Sequence, residues 1–135
     1  MSAFHARILT AERVFFDGEC EALTFPTTDG LFGLLAHHAP LVCAVVPGEL
    51  TIRKADGGVL TAAVAAGMLR FRDNEALLLT DTAEPPEEID LRRAERAALA
   101  AKEALRHKQS AREYREAEIR LSRAISRMNV KKHRH

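Results

Sequence analysis

Three arginines and one aspartate in the last third of the sequence have the types and spacing that suit anion binding. Arg123 and Arg127 are four residues apart, on one face of a helix, and Arg93 lies in an earlier helical segment. Guanidinium groups bind phosphates through paired N–H donors. Asp90 precedes that earlier segment, where its carboxylate can cap the free N–H groups of the helix start. The pattern predicts a capped helix and a candidate phosphate site, with a solvated arginine face as the alternative.

Two histidines and two cysteines give weaker signals. His37 and His38 are adjacent, so in an extended chain they point to opposite sides, and no Asp or Glu lies at ligand spacing. Cys20 and Cys43 lack C-x-x-C spacing and stand in apolar, strand-like surroundings, which predicts buried free thiols. The sequence has neither a G-x-S-x-G motif nor a Walker loop. We therefore expect a non-enzymatic chain, and we assign no catalytic residue and no metal ligand.

Opposite charges separate two parts of the chain. Residues 1–89 hold 6 Lys and Arg against 13 Asp and Glu, net −7, whereas residues 90–135 hold 14 against 6, net +8. A basic segment of this kind is expected to dock on something acidic: nucleic acid, a membrane surface, an acidic protein face or the chain's own first half.

The length and composition favour one globular core with an appended element. The 135 residues are 47% hydrophobic and 29% charged, close to the globular average. No apolar run approaches the roughly 20 residues that span a bilayer, and the first residues lack the apolar stretch of a signal peptide. We expect an unexported cytoplasmic protein.

Residues 4–79 show short apolar or alternating stretches separated by Asp-Gly, Pro-Gly, Gly-Gly and Asp-Asn pairs. Alternation with period two, broken by turn residues, is typical of strands. Nine or ten short strands predict a sandwich or flattened barrel. The predicted strands are 4–10, 14–16, 21–25, 31–35, 41–46, 50–54, 59–64, 68–72 and 76–79.

The segment 84–88, Glu-Pro-Pro-Glu-Glu, ends the strand pattern, because paired prolines cannot donate ladder hydrogen bonds and favour an extended connector. This predicts a β domain at residues 1–88 and a helical segment at residues 89–135. Two seams with 3,4 spacing predict a two-helix hairpin, and their many alanines bury little surface. The join at 108–112 has no proline or glycine, which permits the helices to extend as one. The seams are Leu91, Ala94, Ala98, Ala101 and Leu105, then Tyr114, Ala117, Leu121, Ala124 and Met128.

Two blocks of residues resemble the epsilon subunit of bacterial F-type rotary ATP synthases. The first is Gly30-Leu31-Phe32-Gly33-Leu34-Leu35, followed by His38-Ala39-Pro40-Leu41 and Pro47-Gly48. The second is Ile89-Asp90-Leu91-Arg92-Arg93-Ala94, similar to the I/L-D-x-x-R-A motif associated with ATP binding in some members. The resemblance covers nearly the whole chain. It implies an α+β fold, mainly β at the start, with a ten-stranded sandwich followed by an antiparallel hairpin.

The resemblance implies a non-catalytic rotor subunit of the central stalk, which couples proton or sodium translocation to ATP synthesis. The implied partners are the gamma subunit, the rotor ring of c subunits and the alpha/beta catalytic head, at the cytoplasmic face of the bacterial plasma membrane. In this family the hairpin helices restrain ATP hydrolysis by extending into the head, and a basic segment suits that role. A nucleic-acid-binding adaptor that uses the basic hairpin is the alternative, whereas the rotor subunit binds no nucleic acid.

The resemblance also implies roles for individual residues. No cofactor is required, and ATP is a candidate regulatory ligand. Two positions depart from the family: Ala100 replaces an arginine of some ATP-binding members, and His37 replaces a residue that is usually glycine. Candidate ATP contacts are Glu84, Ile89, Asp90, Arg93, Ala94, Arg123 and Arg127. Candidate contacts with the rotor ring are Leu31 and His38. Candidate inhibitory basic residues are Arg112, Arg115, Arg120, Arg123 and Arg127.

Overall fold

A computed structural model describes residues 2–107 and 109–132, which form nine strands and two helices. The predicted fold class, a β sandwich followed by a two-helix hairpin, is confirmed. Among the described residues, no helix is long and apolar enough to cross a membrane. The elements are β1 (Phe4–Leu9), β2 (Val14–Thr27), β3 (Gly30–Leu35), β4 (Leu41–Val45), β5 (Gly48–Lys54), β6 (Val59–Val64), β7 (Gly67–Arg72), β8 (Glu75–Thr80), β9 (Ala83–Glu84), α1 (Leu91–Arg106) and α2 (Ala111–Lys132).

Strand β2 belongs to both layers of the sandwich. Its first half pairs antiparallel with β1, and its second half pairs with β3 and β5. A register shift between Cys20 and Ala22 marks the bend between the two halves. The segments 14–16 and 21–25, predicted as separate strands, are therefore one strand that continues through Asp17 and Gly18. Joining these two segments leaves eight of the nine predicted strands, and the short β9, which was not predicted, brings the described chain to nine, where the resemblance implies ten.

The two layers enclose one apolar core. The strands follow the order β4-β7-β8-β1-β2 and then β2-β5-β6-β9, with β3 beside β2. Strand β1 pairs in parallel with β8, and the other pairs are antiparallel. The rings of Phe4 and Phe71 meet edge to face at 5.5 Å. The largest fully buried core side chains are Phe4, Phe25, Phe71, Ile8, Leu23, Leu34, Leu50, Ile52, Leu69 and Leu78.

The connector, residues 84–88, differs from the predicted extended segment. Glu84 still belongs to the sheet, because β9 pairs with β6, and Pro86–Glu88 forms a 3-10 turn. Arg13 holds this turn against the β1–β2 end: its Nη2 donates to Glu88 Oε1 at 3.0 Å and to Ala83 O at 2.8 Å. The hydrogen bond to Glu88 raises the pKa of Arg13. The pair of Arg13 and Glu88 thus fixes the connector to the sandwich, because the prolines of the connector have no N–H group to donate.

Helix α1 starts and packs as the sequence predicts. Asp90 Oδ1 accepts the N–H of Arg93 at 3.1 Å, which confirms the predicted cap. The seam alanines are at most 5% exposed, whereas Tyr114 is 44% exposed and lies in the first turn of α2. The hairpin interface is therefore formed largely by methyl groups. The buried seam residues are Ala94, Ala98, Ala101, Ala117 and Ala124.

The join between the helices is more ordered than the lack of proline and glycine suggests. Ser110 Oγ accepts the N–H of Glu113 at 3.2 Å and donates to its carboxylate, in the manner of a capping box. Gln109 Nε2 donates to Ala104 O at 2.8 Å, near the end of α1. Side-chain caps on both helices therefore favour a break between them.

The second half of α2 lies on the sandwich. Ser126 Oγ donates to Gly48 O at 2.8 Å, and Lys131 Nζ donates to Pro86 O at 2.9 Å. Val130 is fully buried with Ala63 and Ile89. The sequence alone predicts the basic residues 131–135 to be a solvated tail. Lys131 and Lys132 are instead the last residues of α2, and Lys131 is bonded to the connector, whereas residues 133–135 lie outside the described residues.

Candidate functional site

A cleft between the hairpin helices and the connector has the size of a small-molecule site. Its volume is about 640 Å³, within the roughly 300–1,000 Å³ usual for ligand pockets. We call it the hairpin cleft. It is lined by Glu84, Glu88, Asp90, Arg93, Ala94, Ala97, Ala100, Ala101, Arg120, Arg123 and Arg127.

Six of the seven candidate ATP contacts line the hairpin cleft: Glu84, Asp90, Arg93, Ala94, Arg123 and Arg127. The seventh, Ile89, is not among the lining residues. Its side chain is 4% exposed and packs with Ala63 and Val130, and its N–H donates to Pro86 O at 3.1 Å. Ile89 therefore helps to hold α2 on the sandwich.

Two cleft arginines are already paired with carboxylates of this chain. Arg127 donates three hydrogen bonds to both carboxylate oxygens of Glu84: Nη2 to Oε1 at 2.7 Å, Nε to Oε1 at 2.9 Å and Nε to Oε2 at 3.1 Å. Arg123 Nη2 donates to Asp81 Oδ2 at 3.3 Å. The Nε of Arg123 is buried and has no hydrogen-bond partner among the described residues. Because bidentate charged pairs are the stronger kind, Glu84 and Arg127 form the main polar link between hairpin and sheet.

Sequence reasoning missed Asp81 as a partner and Arg120 as a member of the cleft. Asp81 follows β8 and is 42 residues from Arg123, so no local pattern relates them. Arg120 was considered only as an inhibitory candidate, although it precedes Arg123 by three residues and so shares its face of α2. The sequence held one signal for these contacts, the opposite net charges of the two parts of the chain. It allowed the chain's own first half to be the acidic partner of the basic helices.

The five inhibitory candidates fall into two groups. Arg112 is 87% exposed and pairs with Glu116 one turn later, Nε to Oε1 at 3.1 Å. Arg115 is also exposed and lies near the join. Arg120, Arg123 and Arg127 instead line the hairpin cleft. With the hairpin docked, Arg112, Arg115 and Arg120 are exposed, whereas Arg123 and Arg127 are half-buried.

The candidate ring contacts lie on and just after β3. Leu31 is 70% exposed, and His38 is exposed with its ring 5.7 Å from the ring of Phe32. His37 has φ 64°, in the left-handed region that favours glycine. Asn74 Oδ1 accepts the His37 N–H at 2.7 Å. The backbone thus keeps the glycine-like conformation despite the histidine side chain.

An exposed apolar row crosses one outer face of the sandwich. Strand register places Met68 beside Leu79, Leu79 beside Leu9, and Leu9 beside Val14, with Ala44 next to Met68. Met68, Leu79 and Val14 are 48%, 50% and 60% exposed. Contiguous exposed apolar residues mark interaction surfaces. We call these five residues the outer apolar row.

The two cysteines have different surroundings. Cys20 is fully buried, and burial raises the pKa of its thiol to about 12, with a smaller contribution from Glu19. Cys43 is half-buried, and burial also raises its pKa. The prediction of a buried free thiol is confirmed for Cys20, whereas Cys43 is partly exposed. A raised pKa disfavours the nucleophilic thiolate at both positions.

Comparison with known proteins relates both parts of the chain to one family. Residues 3–86 match the model of the ATP synthase, Delta/Epsilon chain, beta-sandwich domain, and residues 87–132 match that of the long alpha-helix domain. The ATP synthase epsilon chain of Ruminiclostridium cellulolyticum is 42% identical over 130 residues, covering 96% of this chain and 96% of the relative. That of Ruminococcus albus is 40% identical over 131 residues, covering 96% and 97%.

A solved structure extends the likeness to the fold. It is a cryo-EM structure of Euglena gracilis mitochondrial ATP synthase, OSCP/F1/c-ring in rotational state 1. One of its chains matches with a TM-score of 0.85 at 21% identity, covering 98% of this chain and 83% of that chain. Because both family models and the relatives span nearly the whole sequence, this chain belongs to the ATP synthase delta/epsilon chain family.

Proposed function

We propose that this chain is the epsilon subunit of a bacterial F-type ATP synthase, a non-catalytic central-stalk subunit that couples proton or sodium translocation to ATP synthesis. The observation that carries the proposal is the match of both parts of the chain, sandwich and hairpin, to one family. As a peripheral subunit, the chain is held at the cytoplasmic face of the plasma membrane through the complex.

The outer apolar row supports a stable protein partner on the sandwich. Its five residues lie in register across five strands, and three of them are about half exposed, which is costly for a face that meets only water. We assign this face to the gamma subunit. Leu31, which is 70% exposed, and His38 remain the candidates for the rotor ring.

The hairpin is proposed to restrain ATP hydrolysis by leaving the sandwich and reaching the alpha/beta head. Its seam is mostly alanine, so separation of the helices exposes little apolar surface. Its docking depends on Arg123 and Arg127, which are neutralised by Asp81 and Glu84 while α2 lies on the sheet. Release of α2 frees both guanidinium groups for acidic surfaces of the head.

The nucleic-acid adaptor has no support from the family match. Its basic surface is also reduced, since Arg123 and Arg127 pair with carboxylates of this chain and Lys131 binds the carbonyl of Pro86.

ATP is proposed as a regulatory ligand of the hairpin cleft. A ligand that bridges α1, α2 and the connector stabilises the docked hairpin in proportion to its preference for that state. With no Walker loop in the sequence, the bound nucleotide acts as a signal and is not hydrolysed here.

The test compares full-length protein with a truncation that ends at Glu88, each added to the matching catalytic head with gamma. The core cluster lies between Phe4 and Ala83, so the truncation keeps every core residue. We expect both proteins to bind gamma and only the full-length chain to slow ATP hydrolysis. Equal hydrolysis rates would remove the inhibitory role, and loss of gamma binding by both would remove the assignment to the central stalk.

A further inference from the structure

The hairpin cleft is polarised along its length. Its sheet end is lined by the carboxylates of Glu84, Glu88 and Asp90 together with the guanidinium groups of Arg93, Arg123 and Arg127. Its other end, nearer the join, is lined by Arg120 and by small alanine side chains of α1. Arg120 lies seven residues from Arg127, the residue bonded to Glu84, which is about 10 Å along the helix axis. The sheet end therefore carries charges of both signs, whereas the end nearer the join has a guanidinium and no lining carboxylate.

The cleft arginines also differ in how they are engaged. Arg127 is bonded to Glu84 and Arg123 to Asp81. Within residues 2–107 and 109–132, the guanidinium groups of Arg93 and Arg120 make no hydrogen bond or ion pair. An anion that binds Arg123 or Arg127 must compete with a carboxylate, whereas one that binds Arg120 displaces no protein partner.

The wall that faces Arg120 is unusually open. Ala97, Ala100 and Ala101 line it, and a methyl group at each position leaves the space between the helices to a ligand.

We propose that Arg120 binds the terminal phosphates of a nucleoside triphosphate in the hairpin cleft. The inference rests on the proposed role of ATP. The base and sugar, which carry N–H and O–H donors, lie toward Glu84 and Asp90. The phosphates lie toward Arg120, because no carboxylate lines that end of the cleft to repel them. Arg120 is thus the residue that distinguishes a triphosphate from a monophosphate.

The experiment is a calorimetric titration of the full-length chain with ATP and with AMP. Arg120→Ala is compared with wild type and with Arg115→Ala, a matched control that removes the same charge from an exposed site on α2 outside the cleft. Since a charge-assisted hydrogen bond is strong, we expect Arg120→Ala to weaken ATP binding about 10-fold or more. AMP binding should change less than about twofold, and Arg115→Ala should leave the ratio of the two affinities unchanged.

A second variant tests the placement of the charge. Ala100→Arg, introduced into Arg120→Ala, returns a guanidinium to the same part of the cleft from α1 and should restore most of the ATP affinity. An unchanged ATP to AMP ratio in Arg120→Ala overturns the inference, as does an equal loss in Arg115→Ala or a failure of Ala100→Arg to restore binding. If wild type binds no ATP, the proposed role of ATP is wrong and the inference falls with it. This result is distinct from the three outcomes above, in which wild type does bind ATP.

Discussion

The sandwich and the hairpin are held together by different kinds of contact. In the sandwich core, ten large aliphatic and aromatic side chains are fully buried. In the hairpin seam the buried residues are alanines. Helix α2 is attached to the sandwich and its connector by polar contacts of Arg127, Arg123, Ser126 and Lys131 and by one large buried apolar side chain, Val130. At about 0.8 kcal/mol per buried CH₂ group, a leucine contributes roughly 2 kcal/mol more than an alanine.

This difference explains how one chain can combine a fixed part with a movable part. The main apolar core is lost only when the sandwich unfolds, because it includes no residue of α1 or α2. Ion pairs are different, because a ligand or another protein can offer the same arginines an equivalent partner. The hairpin can therefore change partners while the sandwich remains folded.

The largest effect is expected from a core substitution in the sandwich. Phe71→Ala removes a fully buried ring that contacts Phe4, and it should lower the free energy of unfolding by about 3–5 kcal/mol. Urea unfolding followed by far-UV circular dichroism measures the change. A loss below about 1 kcal/mol would show that the sandwich does not depend on its core as described.

An intermediate effect is expected where the hairpin meets the sheet. Arg127→Ala leaves Glu84 without its bidentate partner, which should weaken docking of α2 by about 2 kcal/mol. Amide hydrogen exchange in α2 should then become roughly 30-fold faster, while exchange in the sandwich stays the same. Arg112→Ala, on the exposed side of α2, is the control and should change neither region. Equal acceleration in both regions would mean that hairpin and sandwich open together.

The smallest effect is expected at the join. Ser110→Ala removes the cap that Ser110 shares with Glu113 and should destabilise the first turn of α2 by about 1 kcal/mol. Exchange of the amides at 111–114 reports the loss. Because the cap favours a break between the helices, its loss should favour the extended helices that are proposed to restrain hydrolysis. When bound to the catalytic head, the variant should therefore slow ATP hydrolysis more than wild type does. A weaker restraint in this variant would contradict a role for the cap in holding the helices apart.

Much of the fold could be predicted, because alternation along each strand is a local property of the sequence. Asp90 and Arg93 were found for the same reason, since a helix cap is a local motif. The continuity of β2 was missed because Asp17 and Gly18 have the composition of a turn, and only pairing with β1 keeps them extended.

The polar lining of the hairpin cleft was harder to predict. The pairing of Asp81 with Arg123 depends on the register at which α2 lies on β5 and β6, and no pattern within either segment encodes that register. The cap at Ser110 was different, because Ser110 and Glu113 have the spacing of a capping box and were open to recognition from sequence alone.

The parallel pairing of β1 with β8 sets the order in which the protein is completed during synthesis. Phe4–Leu9 cannot gain its β8 neighbour until Glu75–Leu79 has been made, so the first strand waits for nearly the whole sandwich. The helices follow β8 and need β5 and β6 in place before α2 can dock. At about 5–20 residues per second, the hairpin is translated within seconds after the last strand. The hairpin is therefore the last part of the chain to be made, and β8 becomes available to β1 only seconds before it.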